Sequence, residues 1–280
     1  MKRLFDHIRE KLSSRYGPSE SESISFLIFE HVLGYSRLQV HLKKDETIPD
    51  AKITEIEEIL NRLVDGEPIQ YILEKADFYG LTFFVNSHVL IPRQETEELV
   101  DWIIKDDKPP APEILDIGTG SGCISVSLAK NIPDAKVSAY DISAEAISIA
   151  NQNAKNNAVG ICTRQVDILQ WEAVPVDKTF DIIVSNPPYV KEEEKSLILD
   201  HVVSQEPHLA LFVSNDGPLI FYRRIAEFAQ QRLSPEGKLY FEINEALGSE
   251  TVSLMKEKGF PKVTLRKDIN GKDRMVCATR

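Results

Sequence analysis

The apolar run Asp181-Ile182-Ile183-Val184-Ser185 stops abruptly at Asn186-Pro187-Pro188-Tyr189. Asn186 offers a side-chain carbonyl as acceptor. Pro187 and Pro188 have no N–H to donate and a restricted φ, so their carbonyls project from a stiff corner. Tyr189 adds a flat face with a polar tip. Acceptors beside a flat surface suit a planar nitrogen with hydrogens to share, such as an amide or an exocyclic amine. The plainer reading of a Pro-Pro pair is a turn after a strand; the rest of the chain weighs against it.

A second chemical segment, Asp116-Ile117-Gly118-Thr119-Gly120-Ser121-Gly122, follows an apolar run and opens a helical pattern. Gly118, Gly120 and Gly122 allow a sharp turn and a close approach of backbone to ligand, and Thr119 and Ser121 lie between them. In a strand–loop–helix setting this points to a nucleoside-containing cofactor. The spacing is not Gly-x-Gly-x-x-Gly, and no Lys-Ser/Thr follows as in a phosphate-binding loop, so a cofactor without phosphates fits better. S-adenosyl-L-methionine is such a molecule, and Asp116 could face its ammonium group. Asp141, ending Ala139-Tyr140-Asp141, is placed to accept from both ribose hydroxyls; its alternative role as a helix N-cap is better filled by Ser143. Asp167 could accept from an adenine amine and Trp171 could stack on the ring, or either could be a loop residue.

These residues need strand ends to hold them. From Glu113 the pattern alternates, with strands expected near Ile114–Ile117, Val137–Asp141, Thr163–Asp167, Phe180–Ser185 and Lys238–Ile243, and a final pair near Val263–Arg266 and Met275–Ala278. Helices are expected near Cys123–Asn131, Ala144–Asn157, Pro218–Gln231 and Glu245–Glu257. Such alternation specifies a mostly parallel sheet covered on both faces, and the turn at Gly271 makes the last strand antiparallel. Residues 1–75 read as a small helical bundle: Leu4, Ile8 and Leu12; Ile24, Leu27, Ile28 and Val32 with a stop at Gly34; Ile53, Ile56, Ile59, Leu60 and Leu63 with a stop at Gly66. Phe78-Tyr79-Gly80 and Phe83-Phe84-Val85-Asn86 read as two short strands of a hairpin connector over 76–92. The third region is 93–280.

Composition narrows the classes. The chain has 280 residues, 42% of them hydrophobic, and a formal net charge of -11. Neither the first 75 residues nor the remainder carries a basic excess, so tight, direct nucleic-acid binding is not expected. Three scattered cysteines, Cys123, Cys162 and Cys277, favour neither a disulfide framework nor a zinc cage; no metal is expected. The start lacks a secretion signal and no run reaches membrane-spanning length. The expectation is a cytoplasmic protein with no membrane partner.

The glycine loop, Asp141 and Asn-Pro-Pro-Tyr at successive strand ends resemble a class I S-adenosylmethionine-dependent methyltransferase: α/β, Rossmann-like, with a seven-stranded mostly parallel sheet. Three further stretches are similar to the HemK/PrmC family of peptide chain release factor glutamine methyltransferases: Gly66-Glu67-Pro68-Ile69-Gln70-Tyr71-Ile72, Leu90-Ile91-Pro92-Arg93-Gln94-Glu95-Thr96-Glu97, and Glu206-Pro207 ahead of Ala210-Leu211. The likeness covers essentially the whole chain; Gln94 departs from a proline frequent in the family. The resemblance implies methyl transfer to the side-chain amide nitrogen of the Gly-Gly-Gln glutamine in class-1 release factors. It places Gly118 to Gly122, Asp141 and Asn186 on the cofactor, with Trp171 in addition, and Asn186, Pro187, Pro188 and Tyr189 on the glutamine, with Asn186, Pro187 and Tyr189 catalytic. The helical region would bind the release factor. Asn-Pro-Pro-Tyr also fits a nucleic-acid adenine N(6) methyltransferase, since a flipped adenine presents a planar amine, and a ribosomal-protein glutamine methyltransferase. A non-catalytic cofactor-sensing protein would gain nothing evident from the motif.

Overall fold

The computed structural model describes residues 1–13, 15–173, 178–191, 193, 205–215 and 217–280. They form two compact units, Met1–Glu74 and Lys75–Arg280.

The first unit is helical: α1 (Lys2–Leu12), α2 (Pro18–Leu33), α3 (Arg37–Leu42), α4 (Asp50–Val64) and the short α5 (Ile69–Ile72). Its core is apolar, with Phe5, Ile8 and Leu12 of α1 against Ile24, Ile28 and Phe29 of α2 and Ile56, Leu60 and Leu63 of α4. Proline starts α2 at its first turn, where no N–H is needed, and Gly34 ends it at φ +69, a left-handed cap that glycine enters without a Cβ clash. The sequence pattern put Leu27 on the buried face, but it is 39% exposed. Ser21 and Ser25 are buried instead, made tolerable by hydroxyl bonds to the Tyr16 and Ser21 carbonyls. Helix α3 escaped the periodicity because it is short; a capping box between Ser36 and Gln39 starts it.

The second unit begins with a hairpin, β1 (Ala76–Phe78) and β2 (Leu81–Phe83). Its turn is Tyr79-Gly80, both at positive φ, the two-residue geometry that matches strand twist. The strands therefore lie earlier than the aromatic clusters suggested: Phe84 to Asn86 follow the hairpin, and Asn153 pins Phe84 by accepting its N–H and donating to its carbonyl.

The main sheet has seven strands in the order β10 (Lys262–Lys267), β11 (Asp273–Thr279), β9 (Leu233–Glu242), β6 (Phe180–Ser185), β3 (Glu113–Ile117), β4 (Lys136–Asp141), β5 (Cys162–Gln165). All neighbours from β9 to β5 are parallel, and β11 runs antiparallel between β9 and β10. The chain steps outward from β3 to β4 and β5, then returns to lay β6 on the other side of β3. That reversal makes the carboxyl ends of β3 and β6 a switch point, where open α/β sheets leave a crevice. Helices α6 (Gln94–Lys105), α7 (Cys123–Asn131), α8 (Ala144–Asn156), α9 (His208–Leu211), α10 (Ile220–Arg232) and α11 (Gly248–Glu257) also belong to this unit. No helix among the described residues is long and apolar enough to cross a membrane.

Candidate active site

Two neighbouring corners at the carboxyl edge of the sheet carry the polar groups. At the β3–β4 corner, Gly118, Gly120 and Gly122 all have positive φ. The loop is held by its own backbone: the Gly118 and Thr119 N–H groups donate to the Tyr140 carbonyl, and Gly120 N–H donates to Asp141 Oδ2 at 2.9 Å. A Cβ at Gly118 or Gly120 would meet nothing within 4 Å, whereas one at Gly122 would lie 3.1 Å from Ala150. The first two glycines thus border open space, and the third lets α7 and α8 approach.

Beneath the loop, Asp116 is fully buried. Its Oδ2 accepts from Thr119 Oγ1 at 2.6 Å and from Ser125 N–H at 3.2 Å; Oδ1 has no partner among the described residues. Burial pushes its carboxyl up to about 7, against the hydroxyl and amide donors that favour the ion. Asp141 is also raised by burial, opposed by the Ser143, Gly120 and Ile142 backbone N–H groups. Two carboxylates, one with an orphaned oxygen, beside an open glycine cradle fit a cationic, hydroxyl-bearing ligand of the S-adenosylmethionine kind.

At the β6–β9 corner, Ser185 ends β6 with its hydroxyl on the Ile117 carbonyl at 2.6 Å, locking β6 to β3. Asn186 follows, and its amide Nδ2 donates to Thr96 Oγ1 at 3.2 Å. Thr96, on α6, donates its hydroxyl to Glu242 Oε2 at 2.6 Å. Tyr189 donates its hydroxyl to the other oxygen, Oε1, at 3.1 Å. Glu242 ends β9 and is 1% exposed. Burial raises its pKa, opposed by Thr96, Arg274 and Tyr189. Burial and the Glu242 charge drive the Tyr189 phenol well above its ordinary value, so it stays a neutral donor. Asn244 Nδ2 on the Tyr189 carbonyl fixes the backbone after the prolines at 3.2 Å.

A cavity of about 50 Å³ opens here, lined by Leu90, Arg93, Asn186, Pro187, Tyr189 and Glu242 among others. Its wall is tied together by Arg93, which donates to Glu206 Oε1 at 2.5 Å, while the Ile91 N–H reaches Glu206 Oε2 at 3.4 Å. The Glu206 side chain is nearly inaccessible. Directly after Tyr189, β7 (Val190–Lys191) pairs in parallel with β8 (Phe212–Val213).

The structure brings together Asn186, Pro187 and Tyr189 around this cavity; Pro188 does not line it. It also brings together the glycine loop and Asp141. Thr119 and Ser121 are buried, so the loop turns its backbone and not these side chains toward solvent. Trp171 is 6% exposed, set edge-on against Phe228 with the Arg224 guanidinium over its ring. It is an interior ring, not an open stacking platform. The apolar side chain exposed beside Asp141 is Ile142, at 51%. Asp167 accepts from the Leu169 N–H and Gln170 Nε2, starting the 3-10 helix Ile168–Ala173. Thr96 and Glu242 had no role in the sequence reading. The one local signal for Glu242 was an acid inside the apolar run Leu239-Tyr240-Phe241-Glu242-Ile243.

Residues 3–73 match the family described as PrmC N-terminal domain, and residues 96–211 match the methyltransferase small domain. The chain is 46% identical over 280 residues to the release factor glutamine methyltransferase of Bacteroides thetaiotaomicron, covering 100% of both chains. It is 47% identical over 271 residues to that of Flavobacterium psychrophilum, covering 95% of this chain and 94% of the relative. Among solved structures, a methyltransferase from Pyrococcus furiosus shares the fold, at TM-score 0.53 and 17% identity, over 80% of this chain and 98% of that one.

Proposed function

The chain belongs to the release factor glutamine methyltransferase family, and on that premise we propose that it methylates the side-chain amide nitrogen of the Gly-Gly-Gln glutamine of class-1 release factors. The cofactor is S-adenosyl-L-methionine, which supplies the methyl group as an activated sulfonium carbon. Asp116 and Asp141 would hold its ammonium and ribose groups, the backbone of Gly118 to Gly122 would follow its length, and Ile142, rather than Trp171, would offer the apolar surface for the adenine.

The substrate amide is a poor nucleophile because its nitrogen lone pair is delocalised into the carbonyl. Asn186 Oδ1 and the Pro187 carbonyl would accept its two N–H hydrogens, orienting the nitrogen and stabilising the positive charge that develops on it. Such contacts strengthen in the transition state, and one preorganised group of this kind contributes about 3 kcal/mol. Tyr189 would confine the amide plane; its proton is held by Glu242, so it does not serve as a base, and the proton shed by the methylated nitrogen would pass to water as S-adenosyl-L-homocysteine leaves.

The observation that carries the reading is the cavity at Asn186. At about 50 Å³ it is roughly a third of the 150 Å³ that accommodates a single benzene ring. A carboxamide is small enough for it, and Asn186, Pro187 and Tyr189 stand on its wall. Mass spectrometry of a release factor after incubation with enzyme and cofactor tests this: a gain of one methyl on the Gly-Gly-Gln glutamine is expected, and an unmodified glutamine would refute it. A substrate that works in translation goes with a cytoplasmic site of action and requires no direct nucleic-acid contact.

The helical unit would grip the release factor away from the glutamine. A chain lacking residues 1–75 should keep its cofactor affinity and lose methylation of the intact factor; full activity of that truncation would remove this role.

A further inference from the structure

Glu242 is buried at the cavity wall and has no role in the scheme above, yet its two side-chain oxygens reach Thr96, the partner of Asn186, and Tyr189. Its Oε2 accepts from Thr96 and its Oε1 from Tyr189. A carboxylate can only accept. The single hydroxyl hydrogen of Thr96 is therefore committed to Glu242, and the face that Thr96 turns to Asn186 can only accept as well. Asn186 satisfies it with Nδ2, at 3.2 Å. A primary amide has a donor end and an acceptor end of nearly the same shape, so its flip state is decided by its partners. With Nδ2 committed to Thr96, Oδ1 is the end left for a ligand.

We infer that Glu242 is a positioning residue that, through Thr96, sets the direction of the hydrogen bonds aiming the Asn186 carbonyl oxygen at the substrate amide. The inference rests on the methyl-transfer reading of the cavity. Reversed polarity would present Asn186 Nδ2 to the substrate N–H groups, donor against donor, and the amide nitrogen would be turned away. The same carboxylate holds Tyr189 by its hydroxyl, so the two side chains that flank the amide share one anchor. That anchor ends β9, two strands from β3, where it is fixed by the sheet and not by the loop it supports.

The test compares Thr96→Val, which keeps the volume and removes both hydrogen-bonding functions, with Thr96→Ser, which keeps them. Turnover on a release factor should fall about 10²-fold in Thr96→Val, with cofactor affinity unchanged, and Thr96→Ser should recover most of it. Glu242→Gln, whose amide can donate to either hydroxyl, should show a similar loss. The Glu242→Gln/Thr96→Val pair should be no worse than the poorer single variant, since both break one chain of bonds. A readout independent of turnover is solvent exchange of the Asn186 side-chain amide protons, followed by NMR with isotope-labelled asparagine and assigned by their loss in Asn186→Ala. Protection in the native protein and faster exchange in Thr96→Val support the network. Equal exchange in both, or native turnover in Thr96→Val, overturns it. If the native protein methylates no release factor while the exchange difference holds, the methyl-transfer reading fails and the positioning network stands.

Discussion

The β3–β4 corner and the β6–β9 corner lie side by side on one sheet edge, and both are organised by buried carboxylates, but they use them in opposite ways. At β3–β4 the acids would serve the ligand directly: Asp116 keeps an oxygen with no partner among the described residues, and Asp141 sits beside the open glycine loop. At β6–β9 the acid is already engaged. Glu242 reaches the cavity wall but spends both oxygens on hydroxyls, beside the neutral amide of Asn186. The difference follows the guests. A cationic ligand offsets the desolvation of an ionised group; a neutral carboxamide would leave such a charge buried without a counter-charge. A carboxylate with a free oxygen therefore faces one guest, while at the other the oxygens of the acid are taken by hydroxyls of the protein.

That contrast can be broken most sharply at Asn186. Asn186→Ala should lower kcat by about 10²–10³-fold while calorimetric affinity for the cofactor stays the same; a matching loss of affinity would mean the two corners are not separable. Asp141→Ala should do the reverse. It removes charge-assisted bonds of about 1.5–3 kcal/mol, weakening cofactor binding roughly 10- to 100-fold, with turnover at saturating cofactor changed far less. Unchanged affinity would detach Asp141 from the ribose.

The smallest effect concerns pH. Burial holds the Asp116 carboxyl up at about 7 in the folded protein, above the ordinary value for an aspartate. As pH rises from about 4 to about 7 the unfolded chain gives up this proton first, so the contribution of Asp116 to stability declines over that window and then levels off. The cationic ligand prefers the ionised form. Cofactor affinity should therefore rise toward pH 7, by up to about tenfold per unit, and level off above it. Asp116→Asn should flatten the profile; an unchanged slope in that variant would assign the titration to another group.

The two corners also differ in how far the amino-acid sequence announces them. The β3–β4 corner is written in one strand–loop–helix–strand stretch, where glycine spacing, a strand-ending acid and apolar periodicity agree, and its backbone role is readable there. What is not readable is which way Thr119 and Ser121 turn, or that Trp171 is interior, because both depend on packing by helices further along the chain. Asn186, Pro187 and Tyr189 are likewise visible as a motif. Their supports are not: Thr96 stands 90 residues before Asn186 and Glu242 stands 53 residues after Tyr189. No local pattern ties an α6 threonine to a β9 glutamate; only the sheet order does. The same holds for the fold. Long periodic helices and strand alternation were legible, while α3 and the register of the 76–83 hairpin turned on a cap and a two-residue turn.

The Thr96–Glu242 bond spans 146 residues of chain, and this separation has a temporal meaning. Closure over such a distance comes after local structure has formed. During synthesis, at about 5–20 residues per second, Asn186 to Tyr189 leave the ribosome several seconds before Glu242 does. For that interval the nascent polypeptide carries the motif without the strand that orients it. Competence at this corner thus marks completion of the domain: a truncated product ending before β9 would display the signature residues and have no means of aiming them.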